Sequence, residues 1–366
     1  MIARLGNDAD GVRANARDDL RPEIEALLAL VAADETRAPA LVARSRPDVL
    51  VDLARLNKTL GSLAPAREAL RRRAPAAAAR LNLYGLRILA LNGSCLHAGA
   101  RVSAALRNAG IRHVVIKGPL QQQSLYGSPT VRPSGDVDVL IDGPDRVPAC
   151  RVLEALGYRR AEARLSAWWV RHLGEEHFVR GADEPTVDLH HGLSQPGSPR
   201  VAAHHAFLDA VRPTSVEGVL VPTPSAAHLT LLAALGLVKA LVAREPCLGH
   251  AADLRRALAM LDAGERDALA GQARLHGQAE TLAAAQAASA RVLAASPSPA
   301  ADDPLAAIDD ETLRGMVVAP WSVARTAPRR RALLWVLCGR APARFAREAA
   351  RVLAADLSRL RLEAAR

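Results

Sequence analysis

Between Arg21 and about Ala109 apolar residues return at helical spacing: Ile24, Leu27, Leu28 and Val31 form one stripe, and Leu81, Tyr84, Ile88 and Leu91 another after the alanine run at 76–79. A period near 3.6 lets a helix bury one face. Pro39, Pro47, Pro65 and Pro75 divide the stretch into short helices, and the last of these, from about Ala98 to Asn108, ends at Gly110 as a C-terminal cap. The period then changes. Ile111 to Ile116 is rich in β-branched residues, which is strand chemistry, and Lys117-Gly118-Pro119 stops it. Asp136 to Ile141 reads as a second strand, 142–145 as a turn, and Val152, Leu153 and Leu156 as a helix closed by Gly157. Tyr158 to Arg164, His177 to Arg180 and Thr186 to His190 follow as strands, with a turn at Gly181 to Pro185. After a Pro-, Gly- and Ser-rich loop at 193–200, Val219 to Pro222 suggests a last short strand, and Pro224 opens a helical region reaching about Leu293. Ser296 to Pro304 has linker composition, and Leu333 to Cys338 and Phe345 to Leu362 suggest a helical tail. There is no internal repeat of fixed period. The alternation predicts an α/β (α+β) chain: a helical segment at 1–110, a mixed-sheet core at 111–223, a helical segment at 224–295 packed on it, a linker at 296–304 and a helical tail at 305–366.

The strand at 136–141 opens on two carboxylates, Asp136 and Asp138, in an otherwise apolar run. Burying them is costly unless something positive sits between them, and a divalent cation is the simplest candidate. Strand alternation puts the two on one face, about 7 Å apart, a separation that a pair of Mg2+ ions can bridge. Asp188, in Val187-Asp188-Leu189-His190, repeats the pattern; if the two strands are neighbours, three carboxylates converge. His190 shares the face of Asp188 and His191 faces away.

The string Val115-Ile-Lys117-Gly118, then Tyr126, Pro129 and Arg132, then Asp136-Val-Asp138-Val-Leu-Ile, and finally Val187-Asp188-Leu-His190 resembles the uncharacterised nucleotidyltransferase family within the DNA polymerase β-like superfamily. The resemblance spans roughly residues 20–260 and is strongest from 111 to 191. It implies a polymerase β-like nucleotidyltransferase core flanked by N-terminal and C-terminal helices. It also implies that Asp136 and Asp138 bind both metals, Mg2+ or Mn2+, while Asp188 completes the metal beside the acceptor hydroxyl. The sequence departs from the wider superfamily after Lys117-Gly118, where Pro119 and a Gln-rich insertion replace a Gly-Ser pair about a dozen residues before the first acid; this bears on the phosphate-binding geometry.

Lys117 and Gly118, just after a strand, are placed to offer backbone N–H groups and a point charge to phosphate, and Arg132 a fork to the triphosphate. His190 is a candidate orienter of Asp188. The structural alternatives are a surface turn at Lys117-Gly118, a salt bridge from Arg132 to Asp136 or Asp138, a turn cap at Asp136 and a surface residue at Asp188. His172, His177, His204 and His205 show no zinc-ligand spacing with cysteine. Trp168-Trp169 reads as core packing before base stacking.

The chain of 366 residues carries a formal charge of +10. The excess is nearly all arginine in an Ala- and Arg-rich chain with few aromatics to stack bases, which argues against nucleic acid as partner. Arg71 to Arg73 and Arg329 to Arg331 read as solvated helix faces or ends. Four scattered cysteines, without a Cys-x-x-Cys pair or a leader-like start, fit reduced thiols in a cytoplasmic protein. Ala226 to Ala243 is the most membrane-like stretch, but His228, Gly236 and Lys239 within it suit a buried helix better, so no membrane span is expected. The expected activity is metal-dependent transfer of a nucleoside monophosphate from an NTP to an unidentified small-molecule or peptide acceptor. The rivals are a degenerate nucleotide-binding or scaffolding protein and a nucleic-acid-binding protein.

Overall fold

A computed structural model describes residues 19–161, 165–193, 195–294, 302–324 and 330–364. The chain opens with helices α1 (Arg21–Val31), α2 (Ala38–Arg44), α3 (Pro47–Leu56) and α4 (Arg67–Arg73), followed by the long α5 (Pro75–Asn108). Prolines do divide this segment, and they do so by opening helices: α1, α2, α3 and α5 each carry one at the first or second position, where no N–H is needed. The short helix expected from about Ala98 is the C-terminal part of α5, since nothing between Pro75 and Asn108 breaks the backbone ladder. Its N-terminal half (Ala77, Leu81, Ile88) joins the helical core, and its C-terminal half (Ala98, Val102, Leu106) joins a second core under the sheet. One helix thus ties the two together.

Gly110, at φ +72°, ends α5 and turns the chain into β1 (His113–Val115). Then come α6 (Gly118–Tyr126), β2 (Asp136–Ile141), α7 (Arg146–Ala155), β3 (Arg159–Arg160), β4 (Glu175–Val179) and β5 (Thr186–His190). The five strands form a mixed sheet in the order β1-β2-β5-β4-β3, with β2 and β5 parallel and the other pairs antiparallel. Val137, Val139, Ile141, Val187 and Leu189 face α5 and α7, while Leu140 faces the helical core. The strand expected at Tyr158 to Arg164 is only β3 in the described residues, and 162–164 lie outside them.

A second, two-stranded sheet pairs β6 (Val211–Val216) with β7 (Val219–Pro224). The sequence reading missed β6 because Pro213 interrupts it and most of its side chains are exposed, leaving no alternation. Its turn, Glu217-Gly218, has φ of +51° and +81°, as a two-residue hairpin turn requires.

Helices α8 (Ala226–Ala243), α9 (Leu248–Ala259), α10 (Ala263–Leu275) and α11 (Ala279–Leu293) cover the other face of the sheet. The α8 helix is long and apolar enough for a membrane span, yet 72% of it is buried inside the fold against its neighbours. Of the expected linker, 296–301 lie outside the described residues; Asp303 is buried and pairs with Arg291. The region beyond is not a tail appended to the fold: α12 (Asp310–Val318) puts Leu313, Met316, Val317 and Val318 into the main core, and α13 (Arg330–Leu337) adds Leu333 and Leu337. The last helix, α14 (Pro342–Ala364), packs on the turn around Trp168, whose indole N–H donates to the Ala355 carbonyl at 2.8 Å.

Candidate active site

Parallel pairing of β2 with β5 sets Asp138 directly beside Asp188, and Leu140 beside His190. Antiparallel pairing of β5 with β4 then sets His177 opposite Asp188 and Glu175 opposite His190. Asp136, Asp138, Asp188, His190, Glu175 and His177 therefore share the sheet face turned toward the helical segments. Their side chains form one polar chain. Lys117 Nζ donates to Asp138 Oδ1 at 2.7 Å, and His190 Nε2 lies 2.9 Å from the same oxygen. His190 Nδ1 is 3.5 Å from Glu175 Oε2, Glu175 Oε1 is 3.4 Å from His177 Nε2, and His177 Nδ1 is 2.7 Å from Asp188 Oδ1.

The charges respond accordingly. Burial alone would raise the Asp138 carboxyl, but the Lys117 charge and the His190 hydrogen bond hold it well below the usual range. Asp136 makes no side-chain hydrogen bond or ion pair among the described residues; burial and the charges of Asp138 and Asp188 push it up to about 6. His177, despite burial, is raised to about 10 by its bonds to Asp188 and Glu175, so it carries a proton at neutral pH. Lys117 is raised to about 12, Asp138 outweighing the cost of burial. As they stand, no three of the described His, Cys, Asp or Glu side chains are grouped to hold a metal ion.

The loop before β2 is fixed from beneath. Asn92 of α5 and Gln122 of α6 are fully buried. The Asn92 amide donates to the carbonyls of Pro129 (2.6 Å) and Arg132 (2.8 Å) and its oxygen accepts from Ser134 N–H (2.8 Å). Gln122 accepts from the N–H groups of Val131 and Arg132 and donates to Ser134 Oγ. The Gln-rich stretch is thus the helix that holds the acid loop in place. Gly118 begins that helix at φ +73°, a backbone conformation that favours glycine, beside the Asp136 carbonyl.

Arg132 stands apart from the acids. Its guanidinium pairs with Asp253 of α9, whose other oxygen accepts from Tyr126 Oη at 2.7 Å, and both charged side chains are buried. The alternative bridge from Arg132 to Asp136 or Asp138 does not form, because Asn92 and Gln122 fix the backbone around it and its guanidinium is taken by Asp253. Two lysines that the sequence did not mark as site residues act on the acids through their charge. Lys58 lowers Asp136, and Lys239 of α8 lowers Glu175, through their charge. Lys58 sits at φ +57° in a turn whose Asn57 carbonyl accepts from Gly249 N–H at 3.1 Å. A Cβ at 249 would lie 2.7 Å from that carbonyl, so only glycine lets α9 approach so closely. Neither lysine has an ion-pair partner among the described residues. His250 is held near 3 by burial and by the charges of Arg132, Lys58, Lys117 and Lys239, and is neutral.

The sequence profile of the uncharacterised nucleotidyltransferase family matches residues 44–294. The chain belongs to this family. The matched span contains the whole acid-bearing sheet, Lys58 and the helices from α8 to α11, and nucleotidyl transfer is the activity class of this nucleotidyltransferase. No curated protein matches it. Among solved structures it is similar to the antibiotic-resistance factor ANT(2'')-Ia in solution, at 18% identity and TM-score 0.33 over 50% of this chain and 90% of that one. It is also similar to ANT(2'')-Ia in crystals with adenylyl-2''-tobramycin, at 17% identity and TM-score 0.34 over 50% and 97%.

Of the residues singled out in sequence, the nucleotidyltransferase fold brings Lys117, Gly118, Asp136, Asp138, Asp188 and His190 to one place and leaves Arg132 aside. Glu175 and His177 were missed, although the acid-x-His spacing of 175 and 177 mirrors that of Asp188 and His190 across a short connection. That mirror was the available signal. Lys58, Lys239, Asn92 and Asp253 had none, since each acts across a long stretch of sequence; Gln122 acts on a nearby loop, but from a helix whose direction the sequence did not fix. Trp169 packs edge-on against His177 at 4.3 Å between centroids.

Proposed function

We propose that this nucleotidyltransferase moves a nucleoside monophosphate from an NTP to a small-molecule or peptide acceptor, using Mg2+ or Mn2+ at Asp136, Asp138 and Asp188. The observation that carries the reading is the in-register pairing of Asp138 with Asp188 beside an Asp136 that has no ion pair among the described residues. The residues fit a hard divalent ion. Lys117 and His190 both use Oδ1 of Asp138, His177 uses Oδ1 of Asp188, and no described residue bonds the Oδ2 atom of either. Carboxylate oxygens are the donors such ions prefer. When bound, the ions would neutralise the triphosphate and favour ionisation of the acceptor hydroxyl.

Each of the protein's own groups has a role in this reading. Asp138 is aimed by two bonds and Asp188 by one, so neither has to be ordered when substrate arrives. Lys117 leads the α6 N-terminus and supplies charge to phosphate, and Lys58 and Lys239, drawn from the helical segments, supply more. Arg132 acts at a distance by locking α9, and with it His250 and the Lys58 turn, against the acid loop. The arginine excess is spread over surface pairs such as Arg21 with Glu311 and Arg112 with Asp209, in keeping with a partner other than nucleic acid.

Asp188 is the residue on which to test this. With labelled NTP and Mg2+, Asp188→Asn should keep nucleotide affinity within a few fold, because Asp136 and Asp138 remain. Pyrophosphate release in the presence of acceptors should fall by orders of magnitude, as expected when a contact made only in the transition state is lost. Wild type that binds NTP but releases no pyrophosphate to any acceptor or to water, with the variant identical, would sink the reading.

A further inference from the structure

We propose that the chain has a second anion site, separate from the acids, which takes a small phosphate-bearing molecule. Past the C-terminal end of β5 a cavity of about 200 Å³ is lined by Arg171, Arg200, Arg351, His172, His191 and His204, with apolar residues between them and no carboxylate. Arg171 and Arg200 bring positive charge to a lining without a carboxylate, and the imidazoles bring N–H donors, which together suit an anion.

Three further observations point the same way. First, Nε2 of His191 and Nε2 of His204 are buried without a hydrogen-bond partner among the described residues, although buried polar atoms are nearly always paired. Second, Arg171 and Arg200 make no ion pair among the described residues, whereas Arg351 is steadied by Glu348 and His172 by Ser358 Oγ at 3.0 Å. Third, part of the cavity wall is bare backbone. Gly174, at φ +73°, and Gly192 touch so closely that a Cβ on Gly174 would lie 3.0 Å from the Gly192 Cα, and Gly174 O accepts from His191 N–H at 2.8 Å.

The donors come from three directions: the helical turn at 169–173, the residues His191, Arg200 and His204, and α14. A planar carboxylate is satisfied by one fork in one plane, whereas a phosphate presents oxygens tetrahedrally and can accept from all three. Burial, followed by the charge of Arg171 and Arg351 on His172 and of Arg146 on His191, keeps these imidazoles below their ordinary range, so each offers an N–H without adding to the repulsion. An occupant would also bridge α14, which lies outside the family match, to the sheet that carries Asp188.

Calorimetric titration of the full chain with inorganic phosphate and with glycerol 3-phosphate, in EDTA at fixed ionic strength, tests this. Saturable binding is expected, weakened on the order of tenfold or more by Arg171→Ala with Arg200→Ala, as follows from losing charge-assisted bonds. Lys58→Ala with Lys239→Ala should leave it unchanged. Preference for glycerol 3-phosphate would name a phosphorylated metabolite as occupant and equal affinity would name free phosphate; both support the site. Because the arginine variant could be judged misfolded, the imidazole nitrogen resonances of His191 and His204 in wild type give a second readout and should shift with saturation. Absence of saturable binding, binding lost in the lysine variant but kept in the arginine variant, or acetate binding as tightly as phosphate would each overturn the proposal.

Discussion

Replacing Asp136 by Asn should stabilise the protein at alkaline pH and leave it unchanged in acid. In the fold this carboxyl is raised from its ordinary 3.8 to about 6 by burial and by Asp138 and Asp188. The folded state therefore holds that proton more tightly than the unfolded chain does. The resulting penalty is absent below pH 3.8, grows between 3.8 and 6 and is complete above 6. A shift of this size corresponds to about 3 kcal/mol at pH 7 to 8. With an unfolding entropy of about 2.1 cal/mol/K per residue, that is a rise in Tm of roughly 4 °C for a chain of this size. The assay is thermal unfolding of wild type and Asp136→Asn in EDTA from pH 4.5 to 8.5. The gap between them should open across pH 4 to 6 and then level off. Added Mg2+ or Mn2+ should raise wild type and not the variant, since an ion at the acids relieves the same repulsion. A variant less stable than wild type at pH 8, or a gap that ignores pH, would show that Asp136 makes a structural bond in solution and would remove the argument for an ion there.

Three other outcomes follow. Lys58→Ala and Lys239→Ala should each weaken NTP binding, and the double variant should lose part of the salt dependence of binding; a salt profile identical to wild type would place the triphosphate elsewhere. Asp253→Asn or Arg132→Ala should lower stability by about 3–5 kcal/mol, because each leaves a buried charge unpaired, whereas Arg132→Met with Asp253→Leu should recover much of it; denaturant midpoints decide this. Binding to random duplex DNA should be weak and vanish near physiological salt, and submicromolar affinity there would reverse the preference for a non-nucleic-acid acceptor.

The chain alone determined whatever is local. Asp136 and Asp138 share a face because strand side chains alternate, the prolines sit at helix starts because a first-turn residue needs no N–H, and Gly110 ends α5 because the chain there needs positive φ. The acid-bearing strands were legible for the same reason: Val137, Val139 and Leu189 fill one face of the sheet and leave the acids to the other. What only the tertiary structure decided is which strands lie side by side and what the helices bring to them. Register put Asp138 next to Asp188 and turned Glu175 and His177 into their partners, and no periodicity encodes a pairing between strands fifty residues apart. Arg132 looked like a fork for the triphosphate, or else a partner of the acids, because it is close to them in sequence. Asn92 and Gln122, fixed on separate helices, turn its backbone toward Asp253, more than a hundred residues further along. The charge of Lys58 acts on Asp136 from a turn on which Gly249 allows α9 to press, and a contact made by the absence of a side chain leaves no pattern in the sequence to read.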